Sequence, residues 1–212
     1  MTLSSNITFA FLSGLVKGGG CPELQSLEVT VNKYIAPVFY KFLKSCDSLE
    51  ILTVNHNYDN IMLEPCHPLD FPSRACPNLA FFTGPIYFAQ RIVPGRPVIE
   101  IDIQESGLLG LHARMDDFAQ AVRACSLSSA VVKKLRIASF CNAVNTAHLI
   151  NAIGDFFPAL LSLDLLVDDD QSNLDSDVEI DDDDDDMDDD NSTAGYSVSM
   201  RRNESTPTDC PA

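Results

Sequence analysis

The chain has 212 residues, a net charge of −17, 45% hydrophobic residues and no tryptophan. That length suits one domain plus a tail, and no apolar run reaches the ~20 residues of a membrane span. The charge is uneven: residues 1–167 hold 14 acidic and 12 basic side chains, whereas residues 168–212 hold 17 acidic ones against Arg201 and Arg202. Direct nucleic-acid binding is not expected, because the body carries no net positive charge and the tail repels phosphate.

In chain order, residues 7–16 place Phe9, Leu12, Leu15 and Val16 on one helical face, and Gly18-Gly19-Gly20 then reads as a turn. No basic region precedes this stretch, so a helical cap over residues 1–20 is expected in place of a secretion signal. From Leu24 an apolar pattern, L-x-x-L-x-L, recurs six times. Its copies are Leu24-Leu27-Val29, Leu49-Leu52-Val54, Leu79-Phe82, Val98-Ile101-Ile103, Val132-Leu135-Ile137 and Leu160-Leu163-Leu165. The third copy ends on Gly84, and the starts lie about 27 residues apart on average, which is a leucine-rich-repeat period.

Each copy alternates apolar and polar residues, as a strand with one inward row does. Residues 34–45, 85–93, 116–124 and 146–156 between them read as helices, with Asn145 or Thr146 capping the last and Pro158 ending it. Residues 55–74 and 104–115 break the rhythm and are expected to be loops. The expected fold is α/β: a short irregular solenoid over residues 21–167, with parallel strands on the concave face and helices on the convex face.

Cys21, Cys46 and Cys76 each stand three residues before a repeat leucine, and no C-x-x-C pair occurs among the seven cysteines. They read as buried thiols of a reducing compartment, cytoplasmic or nuclear. Cys66-His67 lacks partners at ligand spacing, and residues 168–179 lack the glycine of a calcium loop, so no metal is expected. His56, His67, His112 and His148 sit in no nucleophile motif, so neither an enzyme nor a cofactor is expected. Pro94-Gly95-Arg96-Pro97 reads as a turn that presents Arg96 at the rim.

Residues 168–212 are expected to form a disordered acidic and Ser/Thr-rich tail. It holds acidophilic-kinase matches at Ser172 and Ser176, and its acidic run reads first as a solubilising segment and second as a contact for basic proteins. On the solenoid, the polar members of the alternation point to a protein target. The candidate face comprises Glu28, Thr30, Thr53, Glu100, Asp102, Lys134 and Arg136, with the 55–74 loop beside it.

The run Cys76-Pro77-Asn78-Leu79-Ala80-Phe81-Phe82-Thr83-Gly84-Pro85, followed by Ile92-Val93-Pro94-Gly95-Arg96-Pro97-Val98, resembles the repeat region of fungal F-box proteins. The resemblance spans roughly residues 20–167. It implies target recognition within an SCF-type ubiquitin ligase, where an F-box docks on the adaptor subunit. No Leu-Pro-x-Glu-type helix start precedes Cys21, so adaptor binding is expected only if an F-box lies upstream of Met1. The alternative is a free-standing repeat scaffold whose acidic tail binds basic proteins.

Overall fold

Strict alternation in Ser26–Val31 buries Leu27, Val29 and Val31 and leaves Ser26, Glu28 and Thr30 on the other side. The same division runs through the chain and sets its architecture. The structure is a computed structural model and describes residues 2–5, 9–31, 35–56, 71–72, 74–104, 115–138, 143–168 and 195–201.

The strands are β1 (Thr2–Ser5), β2 (Ser26–Val31), β3 (Ile51–His56), β4 (Phe81–Gly84), β5 (Glu100–Gln104), β6 (Lys134–Ala138), β7 (Ser162–Asp168) and β8 (Gly195–Arg201). Helices α1 (Phe9–Lys17), α2 (Ala36–Leu43), α3 (Ile86–Ile92), α4 (Met115–Cys125) and α5 (Ala143–Phe156) lie between them. Strand order in the sheet equals chain order, and β1 to β7 are all parallel. The protein is therefore α/β, with helices in the crossovers from β1 to β2, β2 to β3, β4 to β5, β5 to β6 and β6 to β7.

The inward row is one continuous ladder: Leu27, Leu52, Phe82, Ile101, Leu135 and Leu163 are register partners and all buried. The leading residue of the pattern closes the core beside them at Leu24, Leu49, Leu79, Val98 and Val132. Helices supply the other wall through Phe39, Phe42, Phe88, Ile92, Phe118, Val122, Leu149 and Ile153. Phe39 of α2 meets Phe88 of α3 edge-on, with centroids 5.9 Å apart.

Entry into β3, β4, β5, β6 and β7 repeats one hydrogen-bond device. Gln25 O accepts from Glu50 N and Ile51 N, and Glu50 O from Ala80 N and Phe81 N. Ala80 O, Ile99 O and Lys133 O each accept two amides of the following unit in the same way. Backbone groups that a strand end would leave open are thus satisfied by the next unit.

The cysteines belong to this device. Leu24 N, Leu49 N and Leu79 N donate to Cys21 O, Cys46 O and Cys76 O. At the end of α2, Phe42 O accepts from Ser45 N and Leu43 O from Cys46 N, and the thiols add a further donor to each. Cys46 Sγ donates to Phe42 O at 3.4 Å and Cys76 Sγ to Leu43 O at 3.2 Å. Cys46, Cys76 and Cys125 are buried free thiols, and Cys21 is half-buried. Burial pushes the three buried thiols from 9.0 up to about 12.

Four features differ from the sequence expectations. Residues 1–20 hold a strand besides the helix: Leu3 pairs with Leu27, so the cap has the same strand–helix plan as the later units. α5 starts at Ala143, so Asn145 and Thr146 lie inside the helix rather than ahead of it; alanine is the strongest helix former and extends it one turn earlier. Gly195–Arg201, within the segment expected to lack structure, pairs antiparallel along the whole of β7. An open parallel edge at β7 would leave a row of unpaired amides and carbonyls, which this pairing removes.

Arg96 is the fourth. It is 1% exposed, not presented at the rim. Its Nε donates to Ala75 O at 2.8 Å, Nη1 to Ile92 O and to Pro94 O, and Nη2 to Pro72 O at 2.7 Å. The guanidinium also lies over the Phe71 ring, 4.3 Å from its centroid. Burial lowers its pKa from 12.5 to about 10 while the Cys76 thiol works the other way, so it stays charged at neutral pH. A charge in the core is tolerated where its donors are all aimed at acceptors. Here the acceptors are backbone carbonyls, and the arginine ties residues 71–75 to the turn after α3.

Candidate binding face

The outward side of the sheet carries three register rows. The first is Ser26, Ile51, Phe81, Glu100, Lys134 and Ser162; the second is Glu28, Thr53, Thr83, Asp102, Arg136 and Asp164. The third joins Thr30 to Asn55 and Gln104 to Ala138 and Leu166. Rungs stand ~4.8 Å apart and successive rows ~6.6 Å apart along the strands. All seven candidate residues lie on this side: Glu100 and Lys134 in the first row, Glu28, Thr53, Asp102 and Arg136 in the second, Thr30 in the third. Residues 57–70 of the accompanying loop lie outside the described residues, as do Cys66, His67, His112, Ser172 and Ser176.

Electrostatics divide the face. Over β5 and β6 the charges pair across strands: Lys134 Nζ is 2.8 Å from Glu100 Oε1, and Arg136 Nη1 is 3.6 Å from Asp102 Oδ2. Gln104 Nε2 donates to that same Asp102 oxygen at 2.9 Å. Over β2 and β3, Glu28 Oε1 accepts from Asn55 Nδ2 at 3.2 Å. Exposed pairs of this kind contribute no more than ~1 kcal/mol each, so they set orientation and charge pattern more than stability.

Sequence reasoning missed Ile51, Phe81, Thr83 and Asp164. The signal for the first two is a breach of alternation. Ile51-Leu52 and Phe81-Phe82 are adjacent apolar pairs, and in a strand only one member of each can face inward. Leu52 and Phe82 are buried, Ile51 is 42% exposed, and Phe81 is half-buried beside it in the register.

Among the described residues no group of three or more His, Cys, Asp or Glu is arranged to hold a metal ion, and no helix is long and apolar enough to cross a membrane. His148 lies exposed on α5. No protein-family model matches the chain, and no curated protein is significantly similar to it in sequence.

Proposed function

We propose that the chain is a protein-recognition module, built as a short irregular leucine-rich-repeat solenoid whose parallel sheet is the concave, target-binding face. The carrying observation is that outward face: polar and charged rows held in register across consecutive strands, with an apolar pair at its centre. Ile51, 42% exposed, and half-buried Phe81 stand side by side in the first row, an apolar spot with polar neighbours of the kind a partner desolvates. The role is that of the target-holding part of an F-box protein in an SCF-type ubiquitin ligase, the adaptor being engaged only where an F-box lies upstream of Met1. The module is not an enzyme, takes no cofactor, and works in the cytoplasm or nucleus, which suits its free buried thiols.

A second reading is a free-standing scaffold whose acidic segment binds basic proteins, favoured by the aspartates concentrated in residues 168–190. Two full-length variants separate the readings in a pull-down with quantitative mass spectrometry. One reverses the face charges, Glu100→Lys with Asp102→Lys. The other converts the aspartates of residues 181–190 to asparagine, leaving β8 in place. Partners lost only in the first support the sheet face; partners lost only in the second, with steep salt sensitivity, refute it in favour of the acidic segment. Tagging the endogenous C-terminus tests the ligase role: recovery of the adaptor subunit with a product longer than 212 residues supports it, and consistent absence of the adaptor from such a product counts against it.

A further inference from the structure

We propose that the face over β3 and β4 seats a linear polypeptide segment with an aliphatic or aromatic residue and a lysine or arginine two positions along. This rests on the sheet face being a recognition surface and names what that surface recognises.

The apolar half of the inference comes from Ile51 and Phe81. They are register neighbours in the first outward row, one 42% exposed and the other half-buried. Together they form an apolar platform about one rung wide between Ser26 and Glu100. An apolar anchor with a polar surround is the usual make-up of an interface centre, where one large side chain is desolvated and its neighbours exclude water.

The basic half comes from the second row. Thr53 and Thr83 lie next to the platform along the strands, and Glu28 and Asp102 bracket them on β2 and β5. The two carboxylates are three rungs apart, ~14 Å, so a cation over the threonines comes within ~7 Å of each. Among the described outward residues of β2, β3 and β4 none is cationic. The cations next along the face are paired: Lys134 with Glu100 and Arg136 with Asp102. Across β2 to β7 the first two outward rows carry four carboxylates, of Glu28, Glu100, Asp102 and Asp164, against Lys134 and Arg136, and Arg201 of β8 stands opposite Ser162 at the far end of the first row.

Spacing joins the halves. Two residues along an extended segment cover ~6.6–6.8 Å, the same as the step between the first and second rows. A segment lying along β3 and β4 thus puts an apolar side chain on Ile51 and Phe81 and its second neighbour over Thr53 and Thr83. An acidic side chain there would meet Glu28 and Asp102 and be rejected, which gives the face a preference between segments of equal apolar content.

The test uses the full-length chain as bait for a phage-displayed library of random linear peptides. Selected peptides are resynthesised and titrated by fluorescence anisotropy against the wild type, Ile51→Asp, Phe81→Ser and the double variant Glu28→Lys/Asp102→Lys. Circular dichroism and a thermal melt establish that each variant is folded; Phe81→Ser carries the comparison if Ile51→Asp is not. The expected result is a consensus of apolar, any residue, basic, with affinity weakened about tenfold or more by either apolar substitution. The double charge variant should prefer peptides in which that lysine is replaced by glutamate. Peptides that depend on Ile51 but carry no basic residue overturn the chemistry proposed for the occupant and leave the face as a recognition surface. Peptides indifferent to every face substitution overturn the proposal and count against the recognition face as well. A selection that yields no binder overturns a linear occupant and leaves a folded partner for the same face.

Discussion

Replacing Arg96 by methionine tests the most unusual part of the fold. The guanidinium is 1% exposed and donates to four carbonyls, those of Pro72, Ala75, Ile92 and Pro94. Methionine fills most of the volume, so the cavity contribution is small and the lost hydrogen bonds dominate. The contacts to Pro72 and Pro94 are only partly buried, and water replaces the donor there. Those to Ala75 and Ile92 are buried, and a buried carbonyl left without a donor costs ~1–3 kcal/mol. Two such groups, with the lost stacking on Phe71, give an expected loss of ~3–5 kcal/mol. Arg96→Lys should lose nearly as much, because one ammonium does not span acceptors on both sides of the planar fork. Urea unfolding of the three proteins measures the loss, and trypsin cleavage after exposed Arg74 should quicken in both variants. A loss below ~1 kcal/mol with unchanged cleavage would mean that water serves these carbonyls as well as the arginine does, and the tie between residues 71–75 and the turn after α3 would not be structural.

Three further outcomes are expected. Gly84→Ala should destabilise the chain by ~1–3 kcal/mol in urea unfolding, since an added Cβ would lie 2.9 Å from Val54 O with φ at +155°; an unchanged midpoint would show that β3 and β4 part easily. The thiols of Cys46, Cys76 and Cys125 are raised to about 12 from 9.0. Between those values the folded state binds more protons than the unfolded one, so the contribution is intact below pH 9 and declines as pH rises toward about 12. The slope is up to ~1.4 kcal/mol per pH unit for each thiol, and Cys125→Val should flatten it; urea midpoints independent of pH in that range would contradict the burial. Val198→Pro, opposite Leu165 in the β7–β8 pairing, should speed amide hydrogen exchange in β7 while leaving β2 to β5 protected, and equal protection in both proteins would remove β8 as an edge cover.

Much of this architecture was legible because burial enforces it. Leu27, Leu52, Ile101 and Leu135 must all face one way at a period of two, and a one-residue slip would expose the entire row. The helices were legible for the same reason at a period of 3.6. β1 was hidden because Thr2–Ser5 offers a single apolar residue, Leu3, from which no period can be read. β8 was hidden because Tyr196, Val198 and Met200 alternate inside a stretch whose composition is Ser- and Asp-rich. Arg96 was misplaced because a charged residue in a Pro-Gly turn reads as exposed, while its burial depends on carbonyls that converge from residues 72, 75, 92 and 94 only in the folded chain. On the face, the polar residues were legible from alternation. Ile51 and Phe81 were not, since an apolar residue in a strand is assigned to the core unless its neighbour already occupies that side.

Site-specific photo-cross-linking asks most directly which surface of the full-length chain touches its partner in cells. A photoreactive amino acid is placed in turn at Thr53, in the second outward row, and at Gln120, exposed on α4. The recognition-face account predicts a discrete cross-linked species from Thr53 that disappears when Glu100→Lys and Asp102→Lys are introduced, and none from Gln120. A partner captured from Gln120 and not from Thr53 would place the working surface on the helices and contradict the account.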